Sequence, residues 1–251
     1  MRFEFIASGP ALVIDLDIRL LIITDPHFGI EADLAIHGVH LKSRTTERLE
    51  RIKECIRSSD ADRMIILGDV KHNLPVTSRQ EYFELPLVFS ELRKLISFQV
   101  IPGNHDTGID RFLTSEEMLP RDGVLINDIG FFHGHTLPSK EFEGHLIICG
   151  HHHPYASVYD EVGCGLRSPV YLSCNILRGK KEGKKAVNNK IGTRALFMPS
   201  CNELAGYDLV EALKRPISPI SRAIDKESAE IILPDGSFLG PVSILNGDKD
   251  D

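Results

Sequence analysis

Five short apolar runs in this chain break off into polar residues of one chemical kind, and that repetition narrows the folds open to it. Residues 19–23, 63–67, 98–101, 129–132 and 145–149 end respectively in Thr24-Asp25-Pro26-His27, Gly68-Asp69, Pro102-Gly103-Asn104-His105-Asp106, His133-Gly134-His135 and Gly150-His151-His152-His153. The first two are apolar nearly throughout, which is the pattern of strands buried on both faces. Helical spacing separates some of these runs. Leu49, Ile52 and Ile56 recur among charged neighbours over residues 45–57, and Leu85, Phe89, Leu92 and Ile96 do so over residues 77–97. The second segment carries a capping box, Ser78 with Glu81, and Pro86 predicts a late start or a kink. Alternating strands and helices predict an α/β fold, in which ligands gather beyond the C-terminal ends of the strands.

The remaining stretches are less constrained. Segments 3–6 and 11–15 flank Ser8-Gly9-Pro10 as a hairpin, residues 30–43 read as a loop or a short irregular helix, and a short helix is expected over 114–118. Strands are expected at 123–126, 156–159, 170–172 and 194–198, with a last hairpin of 231–233 and 237–239 around Asp235-Gly236. No Ser-, Gly- or Pro-rich linker divides the chain, so one domain is expected over 1–246, its motif-bearing core at 19–154, with 247–251 a frayed acidic tail. No apolar run approaches the ~20 residues of a membrane span, and the start lacks the build of a signal peptide. No membrane partner and a cytoplasmic location are therefore expected. The formal net charge of -7 argues against a protein that coats nucleic acid by charge alone. The five cysteines are scattered and never paired as CxxC, so they read as reduced packing residues.

Taken singly, each polar loop has an ordinary reading: Gly103-Asn104-His105-Asp106 as a β-turn, Asp25-Pro26-His27 as a surface turn. Five in series at strand ends point instead to metal binding. The donors are carboxylate, amide oxygen and imidazole without thiolate, a set that suits a divalent first-row metal such as manganese, iron, zinc or nickel. Asp25, His27, Asp69, Asn104, His105, His133, His151 and His153 are too many for one ion and enough for two. Two metals about 3.5–4 Å apart need a bridging carboxylate, for which Asp69 is the candidate, and a water between them becomes a hydroxide able to attack phosphorus in line.

In order, Asp25-x-His27, Gly68-Asp69, Gly103-Asn104-His105-Asp106, His133-Gly134-His135 and Gly150-His151-x-His153 resemble the signature of the calcineurin-like metallophosphoesterase superfamily. The stretch after Pro154, with Met198-Pro199-Ser200-Cys201-Asn202, is most similar to small prokaryotic SbcD-related members. The resemblance implies a four-layer α-β-β-α sandwich. It implies that Asp25, His27, Asp69 and His153 hold one metal and that Asp69, Asn104, His133 and His151 hold the other, with manganese the first choice. His105 would face the substrate as general acid or charge stabiliser, and Asp106 would orient it. The family favours His133 over His135 as the ligand, which leaves His135 for substrate, while His152 would support the site or face solvent. The implied activity is hydrolysis of phosphodiesters, nucleic acid included, or of phosphomonoesters. The alternative is a non-catalytic metal-binding interaction module, and the presence of His105 favours the enzyme. Lys71 and His72 lie either within reach of a substrate phosphate or at the surface. Arg178-Gly179-Lys180-Lys181-Glu182-Gly183-Lys184-Lys185 reads as a solvated loop with the wrong spacing for a P-loop, and Gly163-Cys164-Gly165 lacks the setting of a dinucleotide site.

Overall fold

The strand after the N-terminal hairpin is apolar on both faces, and the structure gives each face a core of its own. In the computed structural model, which describes residues 1–159, 165–177 and 192–246, β1 (Arg2–Ile6), β2 (Ala11–Asp15) and β3 (Arg19–Ile23) pair antiparallel. Next to β3 run β4 (Arg63–Ile66) and β5 (Ser97–Val100), both parallel to it. On one face of this five-stranded sheet, Leu21, Ile23, Met64 and Ile66 pack against Leu49, Ile52 and Ile56 of one helix and Leu85, Phe89 and Leu92 of another. After α1 (Ile30–Ile36), these helices are α2 (Thr45–Ser59) and α3 (Arg79–Arg93). On the other face, Leu20, Ile22, Ile65 and Leu67 meet Ile129, Phe131, Ile148, Leu196 and Met198 of a second sheet.

That second sheet is built from β6 (Val124–Ile126), β7 (Ile129–Phe132) and β8 (Leu146–Cys149), followed later in the chain by its remaining strands. Between them comes a small separate sheet begun by β9 (Pro154–Tyr159) and β10 (Gly165–Pro169). The large sheet resumes with β11 (Tyr171–Ile176) and β12 (Thr193–Phe197). Then β13 (Tyr207–Asp208) joins β9 and leads into α4 (Leu209–Lys214), and β14 (Glu230–Ile232) and β15 (Phe238–Pro241) close the large sheet. Its order is β15-β14-β11-β12-β8-β7-β6, with β7, β8 and β12 parallel. Its outer face carries a third core, where Phe132, Ile147, Cys149 and Phe197 pack on Leu209, Leu213, Ile220 and Ile224. Helices, sheet, sheet and an outer helical layer make the α-β-β-α sandwich. Each side chain fully buried in these cores contributes about 1.5–3 kcal/mol.

Local departures from expectation have local causes. Residues 30–36 form a regular helix, α1. The capping box starts α3 at Arg79, with the Glu81 amide donating to Ser78 Oγ (3.2 Å) and the Ser78 amide to Glu81 Oε2 (2.6 Å). Pro86 sits inside the helix on its exposed side, where water can take the carbonyl its ring leaves without a donor. Residues 115–117 make only a single 3-10 turn. In the last third, β10, β13 and α4 are elements the apolar pattern does not announce, being short and only partly buried. Cys55, Cys149, Cys174 and Cys201 are free and buried, as expected of packing residues. The Gly163-Cys164 dipeptide, the basic run 178–185 and the tail 247–251 lie outside the described residues. Among the described residues no helix is long and apolar enough to cross a membrane.

Candidate metal centre

The five polar strand ends come from both sheets. Three follow β3, β4 and β5 of the first sheet, and two follow β7 and β8 of the second. They meet because the sheets are stacked with these ends together. Hydrogen bonds cross the gap: His133 Nδ1–H donates to the Leu67 carbonyl (2.8 Å) and the His151 amide to Asp25 Oδ2 (2.9 Å). Within each sheet the loops continue side by side, the amides of Asp25 and His27 donating to the carbonyls of Gly68 (3.1 Å) and Asp69 (2.9 Å), and the Gly150 amide to that of His133 (2.9 Å).

His27 meets His72 and His105 in one group, and the structure brings the candidate ligands into two further, adjoining groups, Asp25, His27 and His153 in the first, Asp69, His133 and His151 in the second. Asp69 Oδ2 joins them, 3.2 Å from His133 Nε2 and 3.8 Å from His27 Nε2. Its other oxygen accepts the His105 amide (2.8 Å), which fixes the direction of the carboxylate. Asn104 Oδ1 lies 3.2 Å from His133 Nε2 and belongs with the second group. Because His133 donates Nδ1–H to a carbonyl, Nε2 is the atom it could offer a metal. His153 Nε2 and Asp25 Oδ1 face each other at 3.1 Å, buried and without hydrogen-bond geometry. Two orphaned donor atoms in a nest of carboxylates and imidazoles fit a divalent cation, and so does the rest of the donor set.

The backbone is strained where these side chains are presented. Asp25 (φ 53), His27 (φ 44), Asp69 (φ 47), His151 (φ 68) and His153 (φ 40) all lie in the left-handed region, at about 1–3 kcal/mol each. Five of the eight such non-glycine residues described are thus candidate ligands, the distribution of strain kept for function. Two glycines are needed at close approaches: a Cβ on Gly103 would overlap the Asp69 carboxylate and amide, and one on Gly150 would overlap Thr24 and the Asp25 carboxylate. Thr24 Oγ donates to Asp25 Oδ2.

Charge is balanced within the cluster. Burial works against the ionised form of Asp25, yet the facing His153 and His133 hold it at about 2, and Asp69 is held well below its ordinary value despite burial by His133, His27 and His105. Burial likewise opposes a charged His133, but Asp69 and Asp25 push it up to about 9. Burial and the neighbouring imidazoles push His27 well down and His151 down to about 3, so both are neutral donors.

His105 and Asp106 part company. The ring of His105 donates Nδ1–H to the His72 carbonyl, which leaves Nε2 as its working atom. Asp106 does not orient that ring. Buried, it turns back and accepts the amides of Gly103 (2.8 Å) and Lys71 (3.2 Å), clamping one motif loop to another. Both of its oxygens are taken by backbone amides, so the orienting role that the resemblance implies is not seen in its contacts. Lys71 is not at the surface. It is fully buried, with Nζ donating to the Asn73 carbonyl. His72, for which the sequence leaves open a substrate contact or the surface, is part of the cluster: its Nδ1 lies 3.1 Å from His27 Nδ1, and its Nε2 3.6 Å from Asp33 Oδ2. Its position three residues past Asp69 was the available signal. His135 stands outside the two ligand groups, half-buried, its ring 5.2 Å from that of His133 and its Nδ1 without a partner. Burial, His133 and Arg121 push it down to about 4, and Arg121 is anchored on the Gly103 carbonyl (2.8 Å). His152 points away from the cluster, bonded to the Gly150 carbonyl (3.0 Å) and Ser218 Oγ (2.8 Å), so it supports the loop and does not face solvent.

Comparison with known proteins follows the same lines. A family model described as calcineurin-like phosphoesterase matches residues 18–165, more than half of the chain. Among solved structures, the chain is similar to the nuclease MPE of Pseudomonas putida, with a TM-score of 0.56 and 18% identity over 93% of this chain and 98% of that one. At that identity the likeness shows the fold alone. YfcE, a phosphoesterase from E. coli, aligns with a TM-score of 0.43 and 17% identity over 90% of this chain and 98% of its own. No curated protein matches the chain.

Proposed function

Because the chain belongs to the calcineurin-like phosphoesterase family, we propose that it hydrolyses phosphoester bonds, phosphodiesters first among them, with two divalent cations bound side by side. Asp25, His27, Asp69 and His153 hold one cation and Asp69, Asn104, His133 and His151 the other, manganese being the activator of choice. The observation that carries this reading is Asp69 Oδ2 standing between the two donor groups, 3.2 Å from one imidazole and 3.8 Å from another. Bound there, the cations supply Lewis acidity that acidifies water and offsets charge on the phosphoryl oxygens.

The chain's own residues do the remainder. The His105 amide holds Asp69 so that its second oxygen stays directed at both groups. With Nδ1–H committed to the His72 carbonyl, His105 Nε2 holds or gives the proton at the leaving oxygen. Asp106 serves this indirectly, by keeping the Gly103 loop against the Lys71 loop. His135 and Arg121 lie on the side of the second group, where the cation of Arg121 suits a phosphate oxygen of the substrate.

The test is hydrolysis of bis-p-nitrophenyl phosphate, p-nitrophenyl phosphate and single-stranded DNA with manganese, the last because the Pseudomonas putida neighbour is a nuclease. His105→Ala should keep its cations and lose about 10²–10⁴-fold in turnover. Asp69→Asn should lose cation binding and turnover together. Absence of cation-stimulated turnover on all three substrates would refute the enzyme reading, and unimpaired Asp69→Asn would refute the shared carboxylate.

A further inference from the structure

The loop that carries Asp25 and His27 turns through left-handed backbone at both residues, and among the described residues its own segment supplies a donor only to the His27 carbonyl, the Ile30 amide (3.2 Å). The loop's carbonyls are held from the other sheet. Past the end of β12, the Cys201 amide donates to the Thr24 carbonyl (3.0 Å), and Ser200 Oγ donates to that of Asp25 (2.7 Å). Asn202 Nδ2 then donates to the carbonyls of Pro26 (3.0 Å) and His27 (3.4 Å). Four successive carbonyls are thus engaged by residues 200–202. Ser200 and Asn202 are both buried.

The amide of Asn202 cannot swing away. Its Oδ1 accepts the Leu204 amide (2.9 Å) and Arg48 Nη2 (3.2 Å), and Arg48, fully buried, pairs through the same nitrogen with Glu31 Oε1 (3.1 Å) on α1. The guanidinium also lies over the Phe28 ring, 5.8 Å from its centre. Both ends of the amide are therefore assigned, the oxygen to the cation of Arg48 and the nitrogen to the carbonyls of the ligand loop.

We propose that Ser200 and Asn202 are positioning residues for the cation site at Asp25, His27 and His153, acting through the backbone of the 24–27 loop. Their side chains donate to Asp25, Pro26 and His27, and among the described residues none of their hydrogen bonds reaches Asp69, Asn104, His133 or His151. Their loss therefore weakens one cation site and spares the other, a selectivity that a general folding defect does not produce. The inference rests on the two-cation reading above.

The test is titration of the metal-free protein with Co²⁺, followed by its visible absorption, in wild type, Ser200→Ala, Ser200→Thr and Asn202→Ala. In Ser200→Ala and Asn202→Ala one of two binding steps should weaken about 10- to 100-fold while the other stays within about twofold, and Ser200→Thr, which keeps the hydroxyl, should restore it. Amide exchange in the metal-free variants gives an independent reading. The amides of Asp25, His27 and Phe28, which donate to Gly68, Asp69 and Val70, should exchange faster, and those of β4 should not. Two unchanged steps, or two steps weakened alike in a cooperatively unfolding protein, overturn the inference. A wild type that takes up no Co²⁺ overturns the two-cation reading and this inference with it, so the two failures are told apart by the control.

Discussion

Replacing Asp106 by alanine separates two accounts of the loop it belongs to. If the carboxylate orients His105, the loss falls on catalysis. If it clamps two backbone segments, as its bonds to the amides of Gly103 and Lys71 indicate, the loss falls on stability. Two buried amides left without an acceptor cost about 2–6 kcal/mol together. Against this stands the relief of a buried charge. Burial and the nearby Asp69 raise Asp106 from an ordinary 3.8 to about 6, which is worth about 3 kcal/mol above pH 6. A carboxyl raised on folding stabilises most when protonated, so its contribution is full below about pH 4 and falls as pH rises through 6. Asp106→Ala in chelated protein should therefore destabilise by about 1–1.5 kcal/mol more at pH 5 than at pH 8. Urea unfolding at the two pH values measures this, and Asp106→Asn, which keeps one acceptor and no charge, should lose less than Asp106→Ala at both. Equal destabilisation at the two pH values, or intact stability with a changed pH profile of turnover, would refute the clamp.

Other outcomes follow from the same contacts. His133 is raised on folding to about 9, so in the metal-free protein its contribution is full below about pH 6.5 and is lost as pH rises through 9; thermal unfolding should show that alkaline loss, and His133→Asn should abolish it. The proton on His133 also competes with the cation, so manganese affinity measured by calorimetry should fall about tenfold per pH unit below 9, with one proton released per binding event at this site. Removing the ring that faces His27 Nδ1, as in His72→Ala, should weaken cation binding about 10- to 100-fold while far-ultraviolet circular dichroism stays unchanged. Gly103→Ala places a methyl group against the Asp69 carboxylate and backbone, so it should abolish cation uptake in equilibrium dialysis, whereas His105→Ala should leave that uptake intact.

The family and the order of its motifs were legible in the chain because ligand chemistry is carried by residue type, and each motif follows a strand whose apolar run is visible on its own. Asp25, His27, Asp69, Asn104, His133, His151 and His153 could be named as candidates for the same reason, and the structure brings them together. The helices α2 and α3 were legible through their apolar spacing and the Ser78–Glu81 box. The short β10, β13 and α4 were not, because a few half-buried residues carry no period.

What the chain alone did not decide is direction. Asp106 follows His105, yet both of its oxygens go to the amides of Gly103 and Lys71, because the folded loops bring those unpaired donors to it. For Lys71 the sequence leaves open a substrate contact or a place at the surface, and the folded loop after β4 buries it. Asp69 stands between two ligand groups only because two sheets stack with the same strand ends together. Ser200 and Asn202 lie about 175 positions from the loop they hold, a distance no local pattern spans. Residue type is a property of one position and can be read there. The partner a side chain meets is set by backbone angles and by segments arriving from elsewhere in the chain, and those exist only in the folded protein.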